Sequence, residues 1–239
     1  MGRKTALLCF AAAALTLLSA PAAAHDSVTG FTSGPSTGEG NVDPLFSLHL
    51  NGANSLVVRP TANYIYFDTR DATGAVETTS PQASYGLGYR YTGNRLVFDI
   101  GPAFQVLSQE TKTFIGKTTQ QMLMGAAFAT HIYYQATPFT SINIAANYDQ
   151  ANRYSWSHAA IMERVTDLDS REAGAVLLGA DVTEQGNSDV RQVSTGGVLE
   201  FAFDHGETLQ LRAGCAWLNF AGQSSNTGAY AGLTLSQRF

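Results

Sequence analysis

From Pro81 to Thr92, the residues Ala83, Tyr85, Leu87, Tyr89 and Tyr91 alternate with Gln82, Ser84, Gly86, Gly88 and Arg90. A period of two held over a dozen residues places the two sets on opposite faces of a β-strand. The same period recurs along the chain. Leu56, Val58, Ala62, Tyr64 and Tyr66 alternate with Arg59, Thr61 and Asn63, and Leu96, Phe98, Ile100, Phe104 and Val106 with Arg95, Asp99, Gly101, Ala103 and Gln105. Near the end, Leu209, Leu211, Ala213, Cys215 and Trp217 face away from Gln210, Arg212 and Gly214, and Ala229, Ala231, Leu233 and Leu235 away from Tyr230, Gly232 and Thr234. Strands are predicted near 44–50, 53–68, 81–92, 95–108, 119–134, 138–148, 153–164, 173–184, 189–203, 207–219 and 228–239, and a weaker segment over 27–33 adds one more.

The fold class expected is all-β: a closed antiparallel transmembrane β-barrel of about 12 strands, even-numbered as bacterial barrels usually are. The alternative is ten strands, with residues 25–52 as an arm. Short turns are predicted at Asn51-Gly52, a type I′ hairpin dipeptide, at Gly93-Asn94, at 135–137 and at 204–206, with a longer one at 165–172. Long loops are predicted on the other side at 34–43, 69–80, 109–118 and 220–227.

Composition separates a barrel from a soluble sandwich. Charged residues are 14% of the chain, well below the roughly 25% of soluble domains. Beyond Lys4, only Lys112 and Lys117 are lysines. A sandwich solvates its polar faces with Lys and Glu, whereas here those faces carry Gly, Ser, Thr, Gln and isolated Arg or Asp. Such faces suit a lumen, with the aromatic-tipped apolar faces turned to lipid. Coiled coils and charge-rich disorder are excluded, and a pI of 5.4 leaves no basic field for nucleic acid. Phe239, in phase with the outward set, is the expected assembly signal of a bacterial outer-membrane protein.

The N-terminus reads as an address. Arg3 and Lys4 precede an apolar stretch from Ala6 to Leu18, and Ala22-Ala23-Ala24 supplies the small residues of a cleavage site. Residues 1–24 are expected to be a signal peptide and residues 25–239 the barrel. The exported chain then carries 12 Lys and Arg against 19 Asp and Glu, since Arg3 and Lys4 leave with the leader. Cys215 is its one cysteine, which excludes an internal disulfide.

Candidate chemistry is sparse. The exported histidines are His25, His49, His131, His158 and His205; Ser157 and His158 are neighbours in a strand, so their side chains diverge. No Ser, His and acid set converges as a nucleophilic hydrolase needs, and no spacing suggests a metal or a cofactor. A non-enzymatic protein is therefore expected. The lumen-lining candidates are Arg59, Arg90, Asp99, Arg153, Asp181, Glu200, Arg212 and Arg238, either as a paired internal network or as a lining for a polar solute. The aromatics near strand ends read first as an interfacial girdle, with Tyr133, Tyr154 and Tyr230 as the inward or rim rings for the alternative, stacking on carbohydrate. If the lumen is open, Arg59, Arg90, Arg153 and Tyr230 are the groups placed to touch a sugar chain. If the lumen is packed shut, the loops at 69–80 and 220–227 become the contact surface. A lysine at Gly88 or Gly214, both inward, is expected to be mild beside one on the lipid face.

Several stretches carry a family resemblance: Asn147-Tyr148-Asp149, Asn152-Arg153-Tyr154-Ser155-Trp156, Leu178-Gly179-Ala180-Asp181 and Gln185-Gly186-Asn187-Ser188-Asp189-Val190-Arg191, with Leu50-Asn51-Gly52, Ser84 to Tyr89 and Gly101-Pro102 in the same pattern. Together they resemble the BcsS-type outer-membrane accessory protein of bacterial cellulose synthesis. That resemblance implies a non-enzymatic barrel of the bacterial outer membrane, linked to exopolysaccharide production or export and so to biofilm. Its implied partners are outer-membrane lipid, the barrel assembly machinery, the exopolysaccharide and a synthase or export complex. From the residues alone, a lipid-modifying barrel enzyme and a small-solute porin stay open as alternatives.

Overall fold

In the computed structural model, described for residues 26–33, 37–71, 74–113, 115–167, 174–203, 206–220 and 225–238, every regular element is a β-strand. The strands are β1 (Asp26–Ser33), β2 (Thr37–Asn51), β3 (Asn54–Asp71), β4 (Gly74–Thr92), β5 (Leu96–Thr113) and β6 (Thr118–Gln135). They continue as β7 (Thr140–Asp149), β8 (Tyr154–Asp167), β9 (Ala175–Gly186), β10 (Val190–Ala202), β11 (Glu207–Phe220) and β12 (Asn226–Arg238). Each pairs antiparallel with its sequence neighbours, and β1 pairs with β12 from Asp26↔Arg238 to Ser33↔Ala231, closing the barrel. The weak segment is therefore the closing strand, and the ten-strand arrangement with an arm over 25–52 does not occur. Residues 1–24, where a signal peptide is expected, and Phe239, the expected assembly signal, lie outside the described residues. No helix among the described residues is long and apolar enough to cross a membrane.

Alternation fixes which side chains face in. On the outer wall Leu87, Phe104, Met122, Met124, Ile161, Leu178 and Leu233 are all exposed. These apolar side chains form a continuous belt, which a soluble sandwich would have buried. The intervening positions face the lumen, where Leu107 and Leu218 are fully buried among polar neighbours.

The ladder is steeply staggered. A row of registered partners leaves His49 on β2, beside the β2–β3 turn, and runs through Arg90, Asp99, His131 and His158. It ends at Gly228 on β12, beside the β11–β12 connection at the other end of the barrel. Closure with strands tilted by about 35–45° demands such a stagger. Residues far apart in height on unrolled strands thus become lateral neighbours on the wall.

The hairpins differ from expectation at one end. Residues 69–80 and 109–118 do not form long loops: β3 pairs with β4 up to Asp71↔Gly74, and β5 with β6 up to Lys112↔Thr118. Their polar Thr, Glu and Lys residues read as loop, yet a strand beyond the hydrocarbon has no lipid face to keep apolar. These strands run 18 or 19 residues, where about 9–11 suffice to cross. By contrast β7 to β10 end in compact turns at 150–153 and 187–189. At the end that carries both chain termini the fully described turns, at 52–53, 93–95 and 136–139, are short, and Gly52 takes φ 49 in the predicted Asn-Gly hairpin. The long turn expected at 165–172 is strand up to Asp167, and its remainder lies outside the described residues.

Candidate functional site

Two aspartates organise the lumen. Asp99, on β5, is 2% exposed and sits between registered partners Arg90 on β4 and His131 on β6. Arg90 donates from Nε to Oδ1 at 2.6 Å and from Nη2 to Oδ2 at 2.8 Å. This is the bidentate geometry for which the guanidinium fork is suited. Arg59 Nη2 from β3 and His131 Nδ1 both lie 3.5 Å from Oδ2. Arg59 also lies 3.4 Å from Asp43 on β2, and His131 shares a 3.1 Å hydrogen bond with Asn143 on β7. The network therefore spans β2 to β7 and matches Arg59 and Arg90 against Asp43 and Asp99. Its carboxylate centre is shut against the wall, while the His131 side chain is 29% exposed to the lumen.

Asp181, on β9, is the second centre and is 4% exposed. Tyr230 on β12 donates its hydroxyl to Oδ1 at 2.7 Å, across two intervening strands. The register shows how: Asp181, Gly196, Gly214 and Tyr230 form one row over β9, β10, β11 and β12. A Cβ on Gly196 would stand 2.6 Å from the Tyr230 hydroxyl, and one on Gly214 2.1 Å from the Thr195 carbonyl oxygen. The two glycines leave the flat strip along which the tyrosine lies. His158 Nε2 on β8 and Arg212 Nη1 on β11 approach Asp181 Oδ2 at 3.5 and 3.7 Å. Arg212 also donates to Thr32 Oγ1 on β1 at 3.1 Å, and Trp156 stacks on His158 with centroids 5.9 Å apart.

The structure thus gathers Arg59, Arg90 and Asp99 into one network and Asp181, Arg212 and Tyr230 into another. Glu200 stands apart, accepting a 3.0 Å hydrogen bond from Gln210. Arg153 does not line the lumen: it is exposed in the β7–β8 turn with φ 54, a left-handed conformation costly for a side chain other than Gly or Asn. Tyr230, buried and bound to Asp181, presents no free face to a sugar. Gly88 and Gly214 are not roomy positions either, because a Cβ at Gly88 would meet the Ile100 carbonyl oxygen at 2.8 Å. The side chain of Arg238 lies outside the described set. Asp43, Asn143, His131, His158 and Trp156 joined the networks without having been singled out as lumen groups, and only the parity of their strands could have signalled it. Among the described residues, no group of three or more His, Cys, Asp or Glu could hold a metal ion.

A family model described as cellulose biosynthesis protein BcsS matches residues 23–239. The chain belongs to the BcsS family. No curated protein matches it in sequence. Among solved structures it is similar to the beta domain of the Bordetella autotransporter Brka, at 12% identity and TM-score 0.55, covering 90% of this chain and 97% of that one. An outer membrane channel from Pseudomonas putida F1 aligns at 10% identity and TM-score 0.52, over 92% and 97% of the two chains. LpxR from Salmonella typhimurium aligns at 9% identity and TM-score 0.50, over 90% and 100%. At such identities the likeness is one of fold: an outer-membrane-type barrel.

Four of the stretches that carry the BcsS resemblance, those between Asn147 and Arg191, meet in space. Asn147 pairs with Trp156, and Trp156 with Gln185, so the two motif-bearing hairpins β7–β8 and β9–β10 share one patch of wall beside Asp181. Asp149 Oδ2, Tyr154 OH and Gln185 Oε1 are buried there without a protein hydrogen-bond partner, the situation in which ordered water fills the remaining valences.

Proposed function

We propose that this protein is a non-enzymatic accessory barrel of the bacterial outer membrane, acting in the production or export of a cellulose-like exopolysaccharide. The observation that carries this reading is the BcsS family match over residues 23–239, joined to a closed barrel with an apolar outer belt. The end bearing both chain termini and the short turns faces the periplasm, as such barrels usually sit, and residues 1–24 are the leader that directs export. Outer-membrane lipid and the barrel assembly machinery are its first partners, and a polysaccharide synthase or export complex the functional one. A non-catalytic role is supported by the way its lumen histidines are engaged. His131 is held between Asp99 and Asn143, and His158 between Asp181 and Trp156. Each ring is fixed between an acid and a second residue of the wall, the placement of a brace across neighbouring strands.

The test is a deletion strain scored for matrix polysaccharide and for lipid A structure. Reduced or altered polysaccharide with unchanged lipid A is expected. Unchanged polysaccharide with altered lipid A would replace this reading with a lipid-modifying enzyme, and no change in either would leave a small-solute porin.

A further inference from the structure

We propose that the lumen mouth at the terminus-bearing end is a saccharide-binding vestibule that takes a short stretch of an uncharged, polyhydroxylated chain; this rests on the functional reading above and assigns it a binding site. A cleft of about 250 Å³ opens there between β6 and β10, lined among others by Tyr133, Gln135, Ser141, Arg164, Leu177 and Phe203. Register makes it one site, because Gln135 pairs with Ser141, and Arg164 with Leu177. Tyr133, Gln135, Ser141, Arg164 and Leu177 share the parity of His131, Asn143 and Asp181 on their strands, so they belong to the inner wall. Deeper in, Met162 is buried opposite Ser141, and the His131–Asn143 pair begins the Asp99 network. The cleft is a vestibule leading to the first charge network.

The lining selects the ligand class. Three aromatic rings (Tyr133, Phe139 and Phe203) stand with the Gln135 amide, the Thr140 and Ser141 hydroxyls and the Arg164 guanidinium, the mixture in which a few polar groups orient an otherwise apolar contact. Tyrosine joins an apolar face to a polar tip, and a pyranose ring has the same character, with a C–H face and a rim of hydroxyls. An acyl chain would cover the polar groups of Thr140 and Ser141 without offering them a hydrogen bond, which is costly. A polyanion fits no better. Among the described residues Arg164 is the one cation lining the cleft, and the deeper Arg59 and Arg90 already face Asp43 and Asp99. Charges balanced at such short range give no field to concentrate repeated carboxylates.

The test uses the full exported chain in detergent, titrated calorimetrically with cellopentaose and with an oligogalacturonate of equal length. Wild type is expected to bind cellopentaose and to ignore the oligogalacturonate. Tyr133→Ala should weaken binding about tenfold or more, Tyr133→Phe should keep most of it, and Tyr230→Phe, at a residue that does not line the cleft, should not change it. If Tyr133→Ala does not fold, as judged by heat-shifted gel mobility, Leu177→Trp fills the same cleft from another strand and should give the same loss. No binding by wild type, equal binding of the charged oligomer, or full affinity in both cleft variants would overturn the vestibule. Such a failure in a protein whose deletion still lowers matrix polysaccharide removes the site and leaves the function; sound binding with unchanged polysaccharide does the reverse.

Discussion

Asp99 and Tyr230 show how single side chains shape the lumen. Asp99 is nearly inaccessible while the arginines over it remain partly in contact with the lumen, so the wall presents N–H donors with its carboxylate behind. Replacing Asp99 with Asn would keep the shape and remove the charge that Arg90 clasps at 2.6 and 2.8 Å. We expect a loss of about 2–3 kcal/mol, read from urea unfolding in lipid vesicles, and a smaller loss in Asp99→Asn combined with Arg90→Gln. At the second centre, Gly196→Val should displace Tyr230 from Asp181, since even a Cβ would fall 2.6 Å from the hydroxyl. Tyr230→Phe keeps the ring and removes only the hydrogen bond, so it should cost less than Gly196→Val in the same assay. That Arg90, Asp99 and Arg212 face inward was legible from strand parity. The Tyr230–Asp181 pairing was not, because Tyr230 reaches Asp181 only across two strands whose register a sequence does not display.

At the scale of strands, period two identified the elements well because lipid and lumen impose opposite chemistry on alternate positions. It failed where that demand ends. The outer parts of β3 to β6 pair as strands although their residues are polar on both faces: Glu77 opposes Asp68 and Lys112, and Thr78 opposes Thr111. Within the belt a lysine is costly on both faces, for different reasons. Lysine at Leu87, Val182 or Leu211, all exposed on the outer wall, should cost about 2–4 kcal/mol near mid-membrane. Lysine at Gly214 should cost at least as much, because its Cβ has backbone 2.1 Å away. Unfolding midpoints of these variants in one lipid would decide whether inward glycines are spacers or free volume.

As a whole molecule the barrel divides into an apolar belt and a lumen braced by two charge networks, with the β7–β8 and β9–β10 hairpins meeting on the wall beside Asp181. Its phase ties every one of these features together, since a slip of one residue would exchange lumen and lipid faces throughout. Cys215 is exposed on the outer wall of β11 and serves as a native reporter of that face. A companion variant, Cys215→Ser with His131→Cys, moves the single thiol to the lumen. The most direct measurement is labelling of the two proteins in intact outer-membrane vesicles, with a water-soluble maleimide and with a lipid-soluble one. The account predicts that Cys215 reacts with the lipid-soluble reagent alone and the thiol at 131 with the water-soluble one. The opposite pattern would contradict the barrel's phase, and with it the lumen networks and the vestibule.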